Sequence, residues 1–195
     1  MRKQLLTLWI ALAAIGPACA DTIKSTYDFG PAFPERLAMV MLTCKTCHGA
    51  RSVSINGVEL RRDVTSGGAE VAEIWSAPLP EGSGELVVTV SSDHALADAE
   101  VGMGAANALP TRPGPIIDGV VKRTAAGQSS YSLDTEDGDV IVAVSRGEET
   151  FASSEAPFGQ VEFGRLRAAA WNIKRTIPAF TISGPGSVSA VAVYR

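Results

Sequence analysis

Histidine is nearly missing from this chain, with only His48 and His94 in 195 residues. A zinc centre would need both plus a carboxylate from elsewhere, and no ligand spacing supports one. Lysine is scarce too, and the formal charge is −4. There is no lysine-rich patch, and the sign argues against a nucleic-acid partner. Charged residues make up 19% and apolar residues 46%, which excludes a disordered chain. The 19 glycines keep no three-residue period, which excludes collagen. After the N-terminal segment no run is apolar enough for a spanning helix, so no transmembrane span is expected in the mature chain. A G-x-S-x-G nucleophile elbow and the EF-hand ligand spacing are also absent. No acid–base or nucleophilic constellation stands out, so the chain is not expected to be an enzyme, and no metal or cofactor is assigned to the leading reading.

What is present begins with residues 1–20. Arg2 and Lys3 precede an apolar run from Leu5 to Ile15, then Gly16-Pro17 and Ala18-Cys19-Ala20. This is the layout of a secretory signal peptide cut before Asp21. The expected location is exported, periplasmic or extracellular, or within a virion. An N-terminal arm retained in an assembly is the other reading of the segment.

From Asp21 the pattern is short apolar-alternating runs broken by Gly, Pro, Asp and Ser. Strands are expected at 22–29, 53–55, 58–64, 70–77, 85–90, 97–108, 129–133, 139–144, 161–163, 168–174 and 188–194. Asn56-Gly57 marks a hairpin, Leu109–Pro115 a crossing loop, and Thr135–Gly138 an acidic turn. The expected fold is all-β: one antiparallel β-sandwich domain over 21–195, jelly-roll-like, with about ten strands. The first and last strands are expected side by side. Trp75 and Trp171, each among alternating apolar positions, are candidate core anchors. Ser92-Asp93-His94 holds triad-type residues side by side in sequence, which is not the spatial convergence a triad needs; Asp93-His94 reads as a loop between strands and Arg61-Arg62 as a solvated strand end.

Cys44-Lys45-Thr46-Cys47-His48 is the one motif that looks like chemistry. C-x-x-C-H marks covalent c-type haem, with two thioether bonds from Cys44 and Cys47 and His48 on the iron. The flanking run 36–46 instead reads as a buried strand. On a strand the two cysteines face opposite ways with Cα atoms about 10 Å apart, too far for a disulfide unless a tight turn starts near Lys45. Haem attachment, a disulfide and free packed thiols all remain open.

The hairpin Val53-Ser54-Ile55-Asn56-Gly57-Val58 and the stretch Ile74-Trp75-Ser76-Ala77-Pro78-Leu79-Pro80-Glu81-Gly82-Ser83-Gly84-Glu85-Leu86-Val87-Val88-Thr89-Val90 carry a resemblance. They resemble a β-sandwich domain of tail, spike and fibre-associated proteins of phages and gene-transfer agents, especially of alphaproteobacteria. Gly138–Ala143 and Ser189–Val193 are similar to later strands of that family. The resemblance implies a β-sandwich without a catalytic signature, so no functional residue carries over. The export signal and the C-x-x-C-H depart from the family pattern. The expectation is a non-enzymatic structural or adhesive protein, either a phage-derived virion component or an exported surface domain. Its partners would be other proteins, further copies of itself, or cell-surface carbohydrate. A periplasmic c-type haem electron carrier is the alternative.

Overall fold

The computed structural model describes residues 9–10, 21–34, 36–45, 47, 49–66, 70–81, 83–96, 98–106, 129–147, 151–184 and 188–194. The expected crossing loop at 109–115 lies outside the described residues, as does residues 1–20 apart from Trp9–Ile10. Among the described residues there are strands and no helix, and hence no helix long and apolar enough to cross a membrane.

The strands are β1 (Trp9–Ile10), β2 (Asp21–Asp28), β3 (Leu37–Cys44), β4 (Arg51–Ile55), β5 (Val58–Glu59), β6 (Arg61–Thr65), β7 (Val71–Pro78), β8 (Glu85–Ser92) and β9 (Glu100–Ala106). They continue with β10 (Ser129–Thr135), β11 (Val140–Arg146), β12 (Ala152–Ser153), β13 (Gly159–Phe163), β14 (Leu166–Asn172), β15 (Ile177–Gly184) and β16 (Val188–Tyr194). Four antiparallel sheets result, in the orders β2-β8-β4-β5, β1-β9-β3-β7-β6, β13-β14-β11-β16 and β10-β15-β12.

The two halves of the chain repeat one topology. In the first, β2 pairs β8, β4 pairs β8, and β3 pairs both β7 and β9, with β6 beside β7. In the second, β10, β12, β11, β14, β16, β13 and β15 make the same pairings in the same roles. The correspondence reaches single residues. Val40 lies opposite Trp75 in the first half, and Ile141 opposite Trp171 in the second. Both tryptophans are buried, as expected of core anchors.

Burial follows from the layering. The β2 and β8 strands alternate buried and exposed side chains, because one face meets water. Strands β3, β7, β11 and β16 are buried along nearly their whole length, and their sequences are accordingly mostly apolar, with Glu73, Ser76, Ser145, Arg146 and Ser189 among the buried polar exceptions. A first core lies between the β2/β8 sheet and the β3/β7 sheet. A second joins Met39, Met41 and Ile74 to Val142, Val144, Ala190 and Tyr194, sheet against sheet. A third contains Trp171, Phe151, Ile141 and Val191. Four sheets are therefore stacked in series. Across the middle core β16 lies against β7 and β6, and β9 against β14 and β13, so an approximate twofold relates the halves. Each fully buried Val, Leu or Ile contributes roughly 1.5–3 kcal/mol, which favours this deep stack over two separate sandwiches.

Two expectations are corrected. The first and last strands are not neighbours: β2 joins β8 in an outer sheet, while β16 pairs β11 in an inner sheet of the other half. The expected return strand 58–64 is split at Leu60. Val58–Glu59 stays beside β4, and Arg61–Thr65 crosses to β7. The hairpin between β4 and β5 turns at Asn56-Gly57 with φ of 48° and 82°, as an Asn-Gly turn should.

Candidate functional site

The C-x-x-C-H segment lies where β3 ends. The strand stops at Cys44, and the chain turns so that Cys44 and Cys47 form a disulfide, with Cα atoms 5.7 Å apart. The picture of diverging thiols on a continuous strand is thereby corrected: pleating ends at Cys44 itself. Both cysteines are buried in the first core. His48 lies outside the described residues. The haem alternative needs two free sulfurs reaching porphyrin vinyl groups. Here each sulfur is bonded to the other inside packed apolar side chains, so this arrangement does not fit a thioether-linked haem.

Next to the disulfide sits a charge network that the alternation pattern did not disclose. Glu73 occupies the same parity as Val71 and Trp75, which points its carboxylate into the space between the sheets, where it is 0% exposed. Arg51, at the start of β4 in the facing sheet, meets it with Nη2 at 2.7 Å from Oε1 and Nε at 3.1 Å from Oε2. Thr65 donates to Oε1 at 3.0 Å and the Trp75 indole to Oε2 at 3.1 Å. Arg62 approaches Oε1 at 3.4 Å, with its guanidinium 5.5 Å from the centre of the Trp75 ring. A two-point Arg–carboxylate contact of this kind is among the stronger polar interactions in proteins. The Arg61-Arg62 pair is thus more than a solvated strand end, since Arg61 also reaches Asp63 at 2.9 Å.

The loop beyond the disulfide packs on Ser92-Asp93-His94. Gly49 has φ of +83°, and a Cβ there would lie 2.0 Å from Asp93 Oδ1. The Asp93 and His94 side chains are hydrogen-bonded at 2.9 Å and exposed. That bond, more than any other influence, holds the Asp93 carboxyl below its usual range. The sequence reading of Asp93-His94 as a loop stands, with Ser92 ending β8, and nothing in their geometry forms a catalytic triad.

Two further polar clusters join the halves. Asp63 is the extra residue of a bulge between Arg62 and Val64. Its Oδ2 accepts from the Tyr194 hydroxyl at 2.8 Å and from Ser76. Burial, reinforced by the Asp63 charge, pushes the Tyr194 hydroxyl well above the usual tyrosine range. Elsewhere along the junction Arg146 donates to the Asp98 carbonyl at 2.9 Å and to Glu100 Oε2 at 3.3 Å. Glu100 Oε1 also accepts from the Arg165 amide at 2.8 Å.

The outer face of the β2/β8 sheet is rich in hydroxyls. One cross-strand row reads Lys24–Thr89–Ser54–Glu59 and the next Thr22–Ser91–Ser52. Thr26 and the exposed Val87 lie opposite each other on the same face. The acidic turn at 136–139 is closed by its own side chain, since the Glu136 amide donates to Asp139 Oδ2 at 2.8 Å. Among the described residues no group of three or more His, Cys, Asp or Glu is placed to hold a metal.

No protein family, no curated protein and no solved structure matches this chain.

Proposed function

We propose that this chain is a non-enzymatic structural or adhesive protein, a phage-derived virion component or an exported surface domain. The observation that carries the reading is the serial stack of four sheets. Its inner sheets are consumed by the contact between halves, and among the described residues the outer face of the β2/β8 sheet is free and rich in hydroxyls. Such a face suits extended contact with another protein, another copy, or carbohydrate rather than capture of one small substrate, for which a concave pocket is usual. The resemblance of the Val53–Val58 hairpin and the Ile74–Val90 stretch to tail and fibre-associated domains supports the same reading.

The test is fractionation of cells producing the full chain, with N-terminal sequencing and light scattering of the recovered protein. The expected result is material outside the cytoplasm, or in particles, that begins at Asp21 and self-associates or binds a cell surface. A monomer retained inside cells with Met1 in place, binding neither particles nor cell surfaces, would overturn the proposal. A Soret band in purified material would return the haem alternative.

A further inference from the structure

The disulfide and the buried Glu73 carboxylate communicate through one side chain. Arg51 Nη1 donates at 3.2 Å to both the Cys47 and the Gly49 carbonyls. Its Nη2 and Nε hold Glu73. The turn closed by Cys44–Cys47 therefore aims two carbonyls at the guanidinium that neutralises a fully buried carboxylate. We propose that this disulfide is the latch of the Arg51–Glu73 clamp, so that the first half reaches its closed packing only in an oxidising compartment.

The physical argument starts from the small ring. Closing four residues restricts the unfolded chain little, and ring closure by itself shifts the folded-to-unfolded ratio by only about 20-fold. The larger effect lies in the native state. Without the S–S bond the turn after Cys44 rests on hydrogen bonds and on the pairing of β4 with β8, and any relaxation toward extension would carry the Cys47 and Gly49 carbonyls away from Arg51. Arg51 would then lose two acceptors while facing Glu73, which has no access to water. Arg62 cannot take over, because it is half-exposed and reaches Glu73 only at 3.4 Å. A buried carboxylate whose partner is loosened is strongly destabilising.

The chemistry balances as thiol–disulfide exchange. Two thiols of this chain give up two electrons and two protons to form one S–S bond, and a donor disulfide of the export compartment is reduced to two thiols. The clamp thus ties completion of the fold to arrival where such a donor exists, a property independent of what the finished surface binds.

The experiment compares urea unfolding of the full chain, oxidised and refolded under a phosphine reductant, with the same pair of measurements on R51M/E73Q. In the unaltered chain reduction is expected to lower the folded-to-unfolded ratio at least tenfold beyond the ring-closure effect. In R51M/E73Q, which has no clamp to disturb, only the ring-closure loss of about 20-fold is expected. Equal losses in the two proteins would overturn the proposal. Should R51M/E73Q fail to fold, the Trp indole N–H resonances of the unaltered chain decide. Trp75 donates to Glu73, and Trp171 donates to Ser153 and the Glu155 carbonyl in the other half. The Trp75 signal is expected to move on reduction while Trp171 stays. Both signals unmoved would sink the latch. Loss of both is the same support in stronger form, since ring closure alone does not unfold a domain of ordinary stability.

Discussion

Replacing Asp63 by Ala tests how the two halves are held together. The change removes the acceptor shared by the Tyr194 hydroxyl and Ser76, and the partner of Arg61. Tyr194 is 0% exposed, so its hydroxyl has no water to turn to. Stranding a buried donor and breaking a buried charged contact together cost about 3–5 kcal/mol. Tyr194→Phe alone should cost about 1.5–3 kcal/mol, because Asp63 keeps Ser76 and Arg61. The double variant is the informative one. Once Asp63 is gone, the tyrosine hydroxyl is a liability, and its removal should cost little more. The expected coupling is about 1.5–3 kcal/mol, read from urea unfolding of all four proteins by tryptophan fluorescence. Additive losses, within about 0.5 kcal/mol, would refute the reasoning, because the two groups would then not share a hydrogen bond across the junction.

The remaining predictions concern other parts of the stack. Stability should fall as pH rises above about 10, because burial holds Tyr194 well above the ordinary value and raises Tyr27 to about 12, while both ionise near 10 once unfolded. The contribution is fully present below pH 10 and is lost toward the folded values at up to about 1.4 kcal/mol per pH unit for each tyrosine; Tyr27→Phe should flatten the decline in urea midpoint between pH 9 and 11, and an unchanged slope would count against it. Gly164→Ala should cost about 2 kcal/mol or more, since φ is +53° and a Cβ would lie 2.1 Å from Glu100 Oε1; Gly57→Ala, with φ of +82° but open space around it, should cost only about 1 kcal/mol, and a reversed order in thermal unfolding would contradict the junction geometry. Thr26→Glu with Thr89→Glu on the outer face should change stability by less than about 0.5 kcal/mol yet abolish surface binding or self-association in light scattering; retained association would move the contact to another face.

How much of this was legible beforehand differs by level. Strands at 22–29, 85–90 and 188–194 and a buried strand within 36–46 were legible from alternation, β-branched residues and apolar runs, because side-chain period and polarity are local properties; which of them lie outside and which inside the stack was not. The Asn56-Gly57 turn was legible for a local steric reason. Strand β15 was missed: Ile177-Pro178 opens it with a residue that argues against a strand, and its pairing with β10 lies far away in sequence. The duplication was also missed, since its halves share strand roles and a tryptophan position rather than a readable repeat of residues. At the site, Cys44 and Cys47 were visible, but whether they met depended on where β3 stops. Glu73 stood on the core-facing parity beside Trp75, a signal that was there to be used.

Local chemistry in the sequence determined that this chain is built of strands, where most of them lie, and that two cysteines sit at the end of an apolar run. Those are properties of neighbouring residues, and backbone sterics and side-chain polarity express them without a partner. Only the tertiary structure decided that the chain makes two equivalent sandwiches back to back, that Tyr194 reaches Asp63, and that Arg51 crosses from one sheet to neutralise Glu73 in the next. Each joins residues far apart in the chain, and its energy exists only after water has been expelled from between the layers.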